Sequence, residues 1–234
     1  MAYQFDFSII FQPEYFNLIK TGVKNTIKIS FVAAILATIL GILIAIFRTF
    51  PNKILNSIGA IYVEFFRNTP LLVQLFFWYF GVPDLLPDSI LDKLVNLGLE
   101  FWAATLGLSI YTSAFIAETI RSGINSIKKG EIEAALAFGF TWPQVFRYII
   151  IPHAMRVVIP PLTNQYLNLV KNSSLAMTIG YEELTFMVQQ IESLTFRGFE
   201  AAVIATLIYL FFSIVISSIS KLLEKKFYIP GLSK

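Results

Sequence analysis

The sequence predicts an all-α integral membrane protein whose chain crosses the bilayer as five helices. Three observations carry this prediction. The 234 residues are 56% hydrophobic and only 14% charged, whereas soluble domains carry about 25% charge. Several uninterrupted apolar runs approach the roughly 20 residues that a spanning helix needs. The runs are also continuous, without the period-two alternation over about ten residues that marks a membrane β-strand. Phenylalanine alone supplies 23 positions.

Residues 1–28 form an external or interfacial segment ahead of the first run. The first fifteen carry Asp6 and Glu14 and no Lys or Arg. They do not resemble a cleaved signal peptide, so the first span is expected to stay attached. Lys20, Lys24 and Lys28 recur at intervals of four and read as one face of an interfacial helix whose stems snorkel. The first span is 29–47. The second, 57–83, is interrupted by Glu64, Arg67 and Pro70. Glu64 and Arg67 share a helix face and can pair. Asn68 and Thr69 before Pro70 read as a cap that restarts the helix.

The third span, 101–117, ends at Glu118, which has Arg121 three residues on as a local partner. The fourth, about 149–170, contains Pro152, Pro160 and Pro161. Helix breakers are tolerated inside a bundle where neighbours satisfy the freed backbone groups, so Pro160 and Pro161 are structural or gating candidates. The fifth span is 201–219. Residues 29–220 thus read as one membrane domain, followed by a tail over 221–234.

Charge orients these spans. Segments 48–56, 121–148 and 221–234 are rich in Lys and Arg, whereas 81–100 and 177–200 hold only Lys93 and Arg197 among many acids. The positive-inside bias places the first group in the cytoplasm. The N-terminus is then outside and the C-terminus inside, as an odd number of spans requires.

The largest cytoplasmic loop, about 122–148, contains EAALAFG at 133–139. From Lys128 to Phe138 the residues favour helix. Gly139 supplies a left-handed exit, and Thr141, Trp142 and Pro143 start a second helix. Ala134 and Ala135 leave room for another protein to approach the backbone. A surface helix packed only on its own bundle is the alternative.

The fourth span carries a polar stripe. Asn164, Asn168, Lys171 and Asn172 fall at i, i+4, i+7 and i+8, Gln165 borders them, and Ser173 and Ser174 extend the face. Such a stripe could hydrogen-bond the carboxylate and polar side chain of an amino acid. It could equally bond a second subunit.

Other chemistries lack their residues. There is no cysteine, hence no disulfide or thiolate site. The single histidine, His153, has no set of ligand-spaced partners, so no metal is expected. No phosphate-cradling GxxxxGK[ST], HExxH or GxSxG pattern occurs. A catalytic residue is therefore not assigned. A passive channel would account for the stripe but not the loop, whereas a transporter accounts for both; the alternative is a structural or assembly subunit that docks a soluble partner without forming the substrate path.

Glu133-Ala134-Ala135, Gly139 and the Ile151-Pro152 pair resemble, in that spacing, the EAA loop of ATP-binding-cassette importer permeases. VEFFRNTPLLVQLFFWYF (63–80) and IPPLTNQYLNLVKNSSLAMTIGYEEL (159–184) resemble the polar amino-acid branch, as does the tail LLEKKFYIPG. Ile151 stands where leucine is usual before the proline. The resemblance is nearest to glutamate/aspartate and general L-amino-acid permeases of the bacterial inner (cytoplasmic) membrane. It implies a type I importer permease fold, a second like or related permease, two cytoplasmic ATPases and an external substrate-binding protein. It also implies that the loop is a coupling helix seated in a cleft of the ATPase. ATP and Mg belong to that ATPase, no cofactor belongs to this chain, and no nucleic acid is involved. Gln165 stands where some members carry an acid, which disfavours a site dedicated to cationic amino acids.

Overall fold

In the computed structural model, residues 4–226 are described, and every regular element among them is helical. The helices are α1 (Pro13–Thr49), α2 (Lys53–Asn68), α3 (Leu71–Phe76), α4 (Asp88–Asn96) and α5 (Leu99–Asn125). They continue as α6 (Lys129–Ala137), α7 (Trp142–Val145), α8 (Ile151–Asn172), α9 (Leu184–Thr195) and α10 (Gly198–Lys226). Residues 227–234, most of the expected tail, lie outside the described residues.

Four of the described helices are long and apolar enough to cross a membrane: Pro13–Thr49, Leu99–Asn125, Trp142–Ile179 and Gly198–Leu222. Leu71–Gly81 is apolar but shorter. The chain is thus an all-α, multi-span membrane protein. Lys20, Lys24 and Lys28 lie on α1, the same helix as the first apolar run, whose 37 residues exceed the roughly 20 that a bilayer crossing needs.

The expected span 57–83 is not one helix. It breaks after Asn68, and Pro70 takes extended angles (φ −62°, ψ 133°) ahead of α3. Proline lacks an N–H for the helical ladder and disfavours helical angles at the residue before it, here Thr69. The expected cap is also absent, since Asn68 Nδ2 donates back to the Glu64 carbonyl and carboxylate at 2.8 and 3.0 Å. Thr69 Oγ1 instead accepts from Gln74 Nε2 at 2.7 Å.

The chain divides into two compact units. The first comprises 1–36, 69–110 and 168–214. Its core joins Ile10 and Ile19 to Leu184, Val188, Ile191 and Ala201. Glu183, fully buried, caps α9 by accepting from the Thr185 and Phe186 N–H groups, both at 2.9 Å. It also accepts from the Tyr209 hydroxyl at 2.7 Å. Burial pushes the Glu183 carboxyl above the usual carboxylate range, even though these bonds favour its charged form. Burial and then the neighbouring Glu183 push the Tyr181 phenol up to about 12.

The second unit comprises, among the described residues, 37–68, 111–167 and 215–226. One core cluster joins Ile44, Ala45, Val63 and Ala117, and another joins Ile127, Ala135, Val145 and Ile150. This unit holds both the charged loop and a cavity with charged walls.

Candidate functional site: a charged cavity and a loop helix

The loop around α6 is built as two short helices joined by a tight turn. Lys128 enters it with extended angles, and α6 closes through hydrogen bonds from Phe138 N to Ala134 O and from Phe140 N to Ala135 O. Gly139 takes φ 88°, the left-handed exit predicted from sequence, in which a β-carbon is strained. The Thr141 N–H then donates to Gln144 Oε1 at 2.8 Å, which closes the first turn of α7. A π turn over Phe146–Ile150 leads into α8.

The two alanines of the motif point different ways. Ala134 is exposed, whereas Ala135 is buried at 6% among Ile127, Val145 and Ile150, with Ile132 and Leu136 packed alongside. The expectation that both alanines open the backbone to a partner is therefore corrected for Ala135: the 3.6-residue period turns it onto the chain's own core. The outward residues are Glu133, Ala134 and Phe138, the last 86% exposed. Sequence reasoning passed over Phe138. An aromatic residue at the last position before a helix-ending glycine was the available signal.

The loop is tied to α8 twice. Val145 and Ile150 share its core cluster, and Glu131 Oε2 lies 3.9 Å from His153 Nδ1. His153 thus has an acidic neighbour that its place in the sequence hid. Pro152 directly follows the π turn inside the continuous helix Trp142–Ile179, where it gives no N–H to the ladder.

The same unit holds a cavity of about 280 Å³, whose polar walls are Arg67, Glu118, Thr119, Ser122 and Gln165, with Phe115 and Pro161 among the apolar ones. Glu118 accepts from Arg121 Nε at 2.9 Å and from Arg121 Nη2, and Arg48 Nη2 stands 3.8 Å away. Its charge is therefore engaged by Arg121 and Arg48, with Arg67 acting on it from farther away. Arg67 lies 5.2 Å from the Phe115 ring centroid, over its face, a cation–π arrangement. The expected pair with Glu64 does not form, since Glu64 is occupied by Asn68. Arg67 makes no ion pair among the described residues.

Two features shape the helices around the cavity. A β-carbon at Gly123 would overlap Val158 Cγ2, so glycine allows α5 and α8 to touch there. Pro160 and Pro161 lie inside α8 and give no N–H to its ladder beside the cavity wall.

The predicted stripe is divided. Gln165 lines the cavity, whereas Asn164, Asn168 and Lys171 are exposed and Asn172 is half-buried. Ser173 is buried and its hydroxyl donates to Val170 O at 2.7 Å; that of Ser174 donates to Lys171 O at 2.7 Å. Both hydroxyls are thus taken by the preceding turn as the helix tightens to 3-10 geometry over Ser173–Ile179. Among the described residues no group of three or more His, Asp or Glu side chains could hold a metal ion.

The family described as binding-protein-dependent transport system inner membrane component matches residues 37–228. The chain belongs to this family. It is a multi-pass permease component of the bacterial inner membrane. It is 38% identical over 224 residues, covering 93% of this chain and 90% of the relative, to the glutamate/aspartate import permease protein GltJ of Escherichia coli (strain K12). It is 40% identical over 222 residues, covering 94% and 96%, to the probable glutamine ABC transporter permease protein GlnM of Bacillus subtilis (strain 168). Among solved structures, an amino acid ABC transporter crystallised with histidines is similar at TM-score 0.81 and 32% identity, covering 96% of this permease and 100% of that chain. An inward-facing MetNI methionine ABC transporter, at TM-score 0.75 and 19% identity over 93% and 100% of the two chains, shares the fold.

Proposed function

We propose that this permease is the membrane subunit of an ATP-driven, binding-protein-dependent importer of polar L-amino acids, with glutamate, aspartate or a related amino acid as substrate. The observation that carries the substrate class is the cavity. Arg67 faces it from over the Phe115 ring, making no close ion pair among the described residues, while Gln165 and the hydroxyls of Thr119 and Ser122 offer neutral hydrogen-bonding walls. Arg121, Arg48 and Arg67 all act on the one carboxylate Glu118, and guanidinium in excess of carboxylate suits an acidic substrate. The high identity to glutamate/aspartate and glutamine permeases supports the same class.

The partners are a second like or related permease, two cytoplasmic ATPases that bind ATP and Mg, and an external substrate-binding protein. The chain crosses the membrane five times, with the second crossing within 57–83, the N-terminus outside and the C-terminus inside. Residues 1–28 form the outer segment, 29–220 the membrane domain and 221–234 the tail. The surface of Glu133, Ala134 and Phe138, with the turn at Gly139, docks the ATPase. Because Ala135 packs on Val145 and Ile150, a push on α6 carries the head of α8, and Pro152 with it, as one body. The α8 prolines then let the cavity wall move, in the manner of alternating access. Asn164 and Asn168 line the path or the contact with the second permease, since exposed amides do not face lipid without cost. Lys171, Asn172, Ser173 and Ser174 continue that helix toward its outer end. Glu64, Asn68, Thr69 and Pro70 shape the break in the second crossing.

The test is uptake of a panel of labelled amino acids by the complete importer in proteoliposomes, with and without Arg67→Ala. Losing a charged hydrogen bond of about 1.5–3 kcal/mol should cut uptake of acidic substrates roughly tenfold or more. Preference of the unmodified importer for cationic amino acids, or unchanged uptake by the variant, would refute the reading.

A further inference from the structure

The connection from residue 82 to 98 joins two apolar helices of the same unit, Leu71–Gly81 and Leu99–Asn125. Its two ends are held together by Tyr79, whose hydroxyl donates to Glu100 Oε1 at 3.4 Å. The chain therefore leaves and re-enters at one level. Between those points lies α4, delimited by Pro87 at its N-cap and Leu97 at its C-cap.

At 100° per residue, Asp88, Ser89, Asp92, Lys93 and Asn96 occupy one continuous arc of α4. Ile90, Leu91, Leu94, Val95 and the following Leu97 occupy the other. Leu91 and Leu94 at the centre of the apolar arc are half-buried. Its flanks are open: Ile90 is 46% exposed, Val95 56% and Leu97 66%, and Leu85 just before the helix is 76% exposed. Lys93 borders the Ile90 and Leu97 flank, where a long stem can run along lipid while its ammonium reaches water.

We propose that α4 is an interfacial helix seated on the bilayer surface, with Ile90, Val95 and Leu97 among lipid chains and the Asp88, Asp92 and Asn96 arc in water. The occupant is lipid because both helices that frame the connection enter the bilayer, and a helix tethered at both ends at that level is continuous with the lipid boundary. This rests on reading Leu71–Gly81 and Leu99–Asn125 as membrane helices. The two Asp side chains on the polar arc make it a poor match for anionic headgroups, so zwitterionic lipid is the fitting surface. Such a helix holds the outer end of the short Leu71–Gly81 helix at fixed depth.

The chain has no cysteine, so single-cysteine variants report one position each. Ile90→Cys, Val95→Cys, Ser89→Cys and Asn96→Cys are labelled with an environment-sensitive fluorophore in the assembled importer, in phosphatidylcholine vesicles. Val73→Cys on α3, a position 58% exposed, reports the membrane helix itself. The expected result is blue-shifted emission at positions 90, 95 and 73, quenched by nitroxide on the lipid chains, with positions 89 and 96 quenched by aqueous iodide. Iodide quenching at 90 and 95, or protection there from both quenchers, with nitroxide still reaching 73, would overturn the proposal alone. Failure of nitroxide to reach position 73 would overturn the membrane placement beneath it and the proposal together.

Discussion

His153 Nδ1 at the head of α8 lies 3.9 Å from Glu131 Oε2 on α6, and the two side chains are 30% and 45% exposed. The contact joins the loop helix to a membrane helix and becomes an ion pair when the imidazole is protonated. Water screens it at that exposure, so Glu131→Gln should lower the stability of the permease by less than about 1 kcal/mol. Thermal unfolding of the purified subunit measures this, and a loss of several degrees would mean the pair anchors the loop.

The loop should separate packing from docking. Ala135→Trp forces bulk into the Ile127, Val145 and Ile150 cluster and should destabilise the permease by about 1–3 kcal/mol. Phe138→Ala removes a side chain that is 86% exposed, so it should leave the unfolding midpoint unchanged while weakening ATPase co-purification and substrate-stimulated ATP hydrolysis. Gly139→Val, placed at φ 88°, should carry a strain of about 1–3 kcal/mol. Full ATPase retention by Phe138→Ala would remove this residue from the docking surface.

Glu183 should make stability pH-dependent in a definite direction. Its folded pKa is raised above the ordinary glutamate value of 4.5, first by burial. Proton binding therefore favours the folded state. That contribution is complete below the unfolded value and is lost as pH rises through the higher folded one. Glu183→Gln keeps an oxygen acceptor for the Phe186 N–H and removes the charge. The variant should match or exceed the parent in unfolding midpoint at neutral pH, with a flatter profile just above pH 4.5. A parent whose stability, relative to the variant, falls on acidification across that window would contradict this.

Asn164→Leu and Asn168→Leu should reduce uptake while the complex stays assembled, since a lost amide contact costs about 1–3 kcal/mol. Size-exclusion chromatography beside the transport assay separates the outcomes. Dispersed subunits would assign the two amides to the contact with the second permease, and normal uptake would remove them from the path.

Some of this was legible along the chain because it depends on neighbours in sequence. The long apolar runs, the helix over Lys129–Ala137 with its left-handed exit at Gly139, and the EAA spacing that belongs to the family all follow from local propensity and period. The break at Pro70 was visible as a proline, yet its partners were not. Asn68 turned back to Glu64 and left Arg67 without that carboxylate, because competing hydrogen bonds are decided by which donor arrives closest. The inward turn of Ala135, the meeting of His153 with Glu131 and the gathering of Arg67, Glu118 and Gln165 around one cavity join residues far apart in sequence. Only tertiary packing brings them together, because hydrophobic periodicity says which face of a helix is buried but not which other helix buries it.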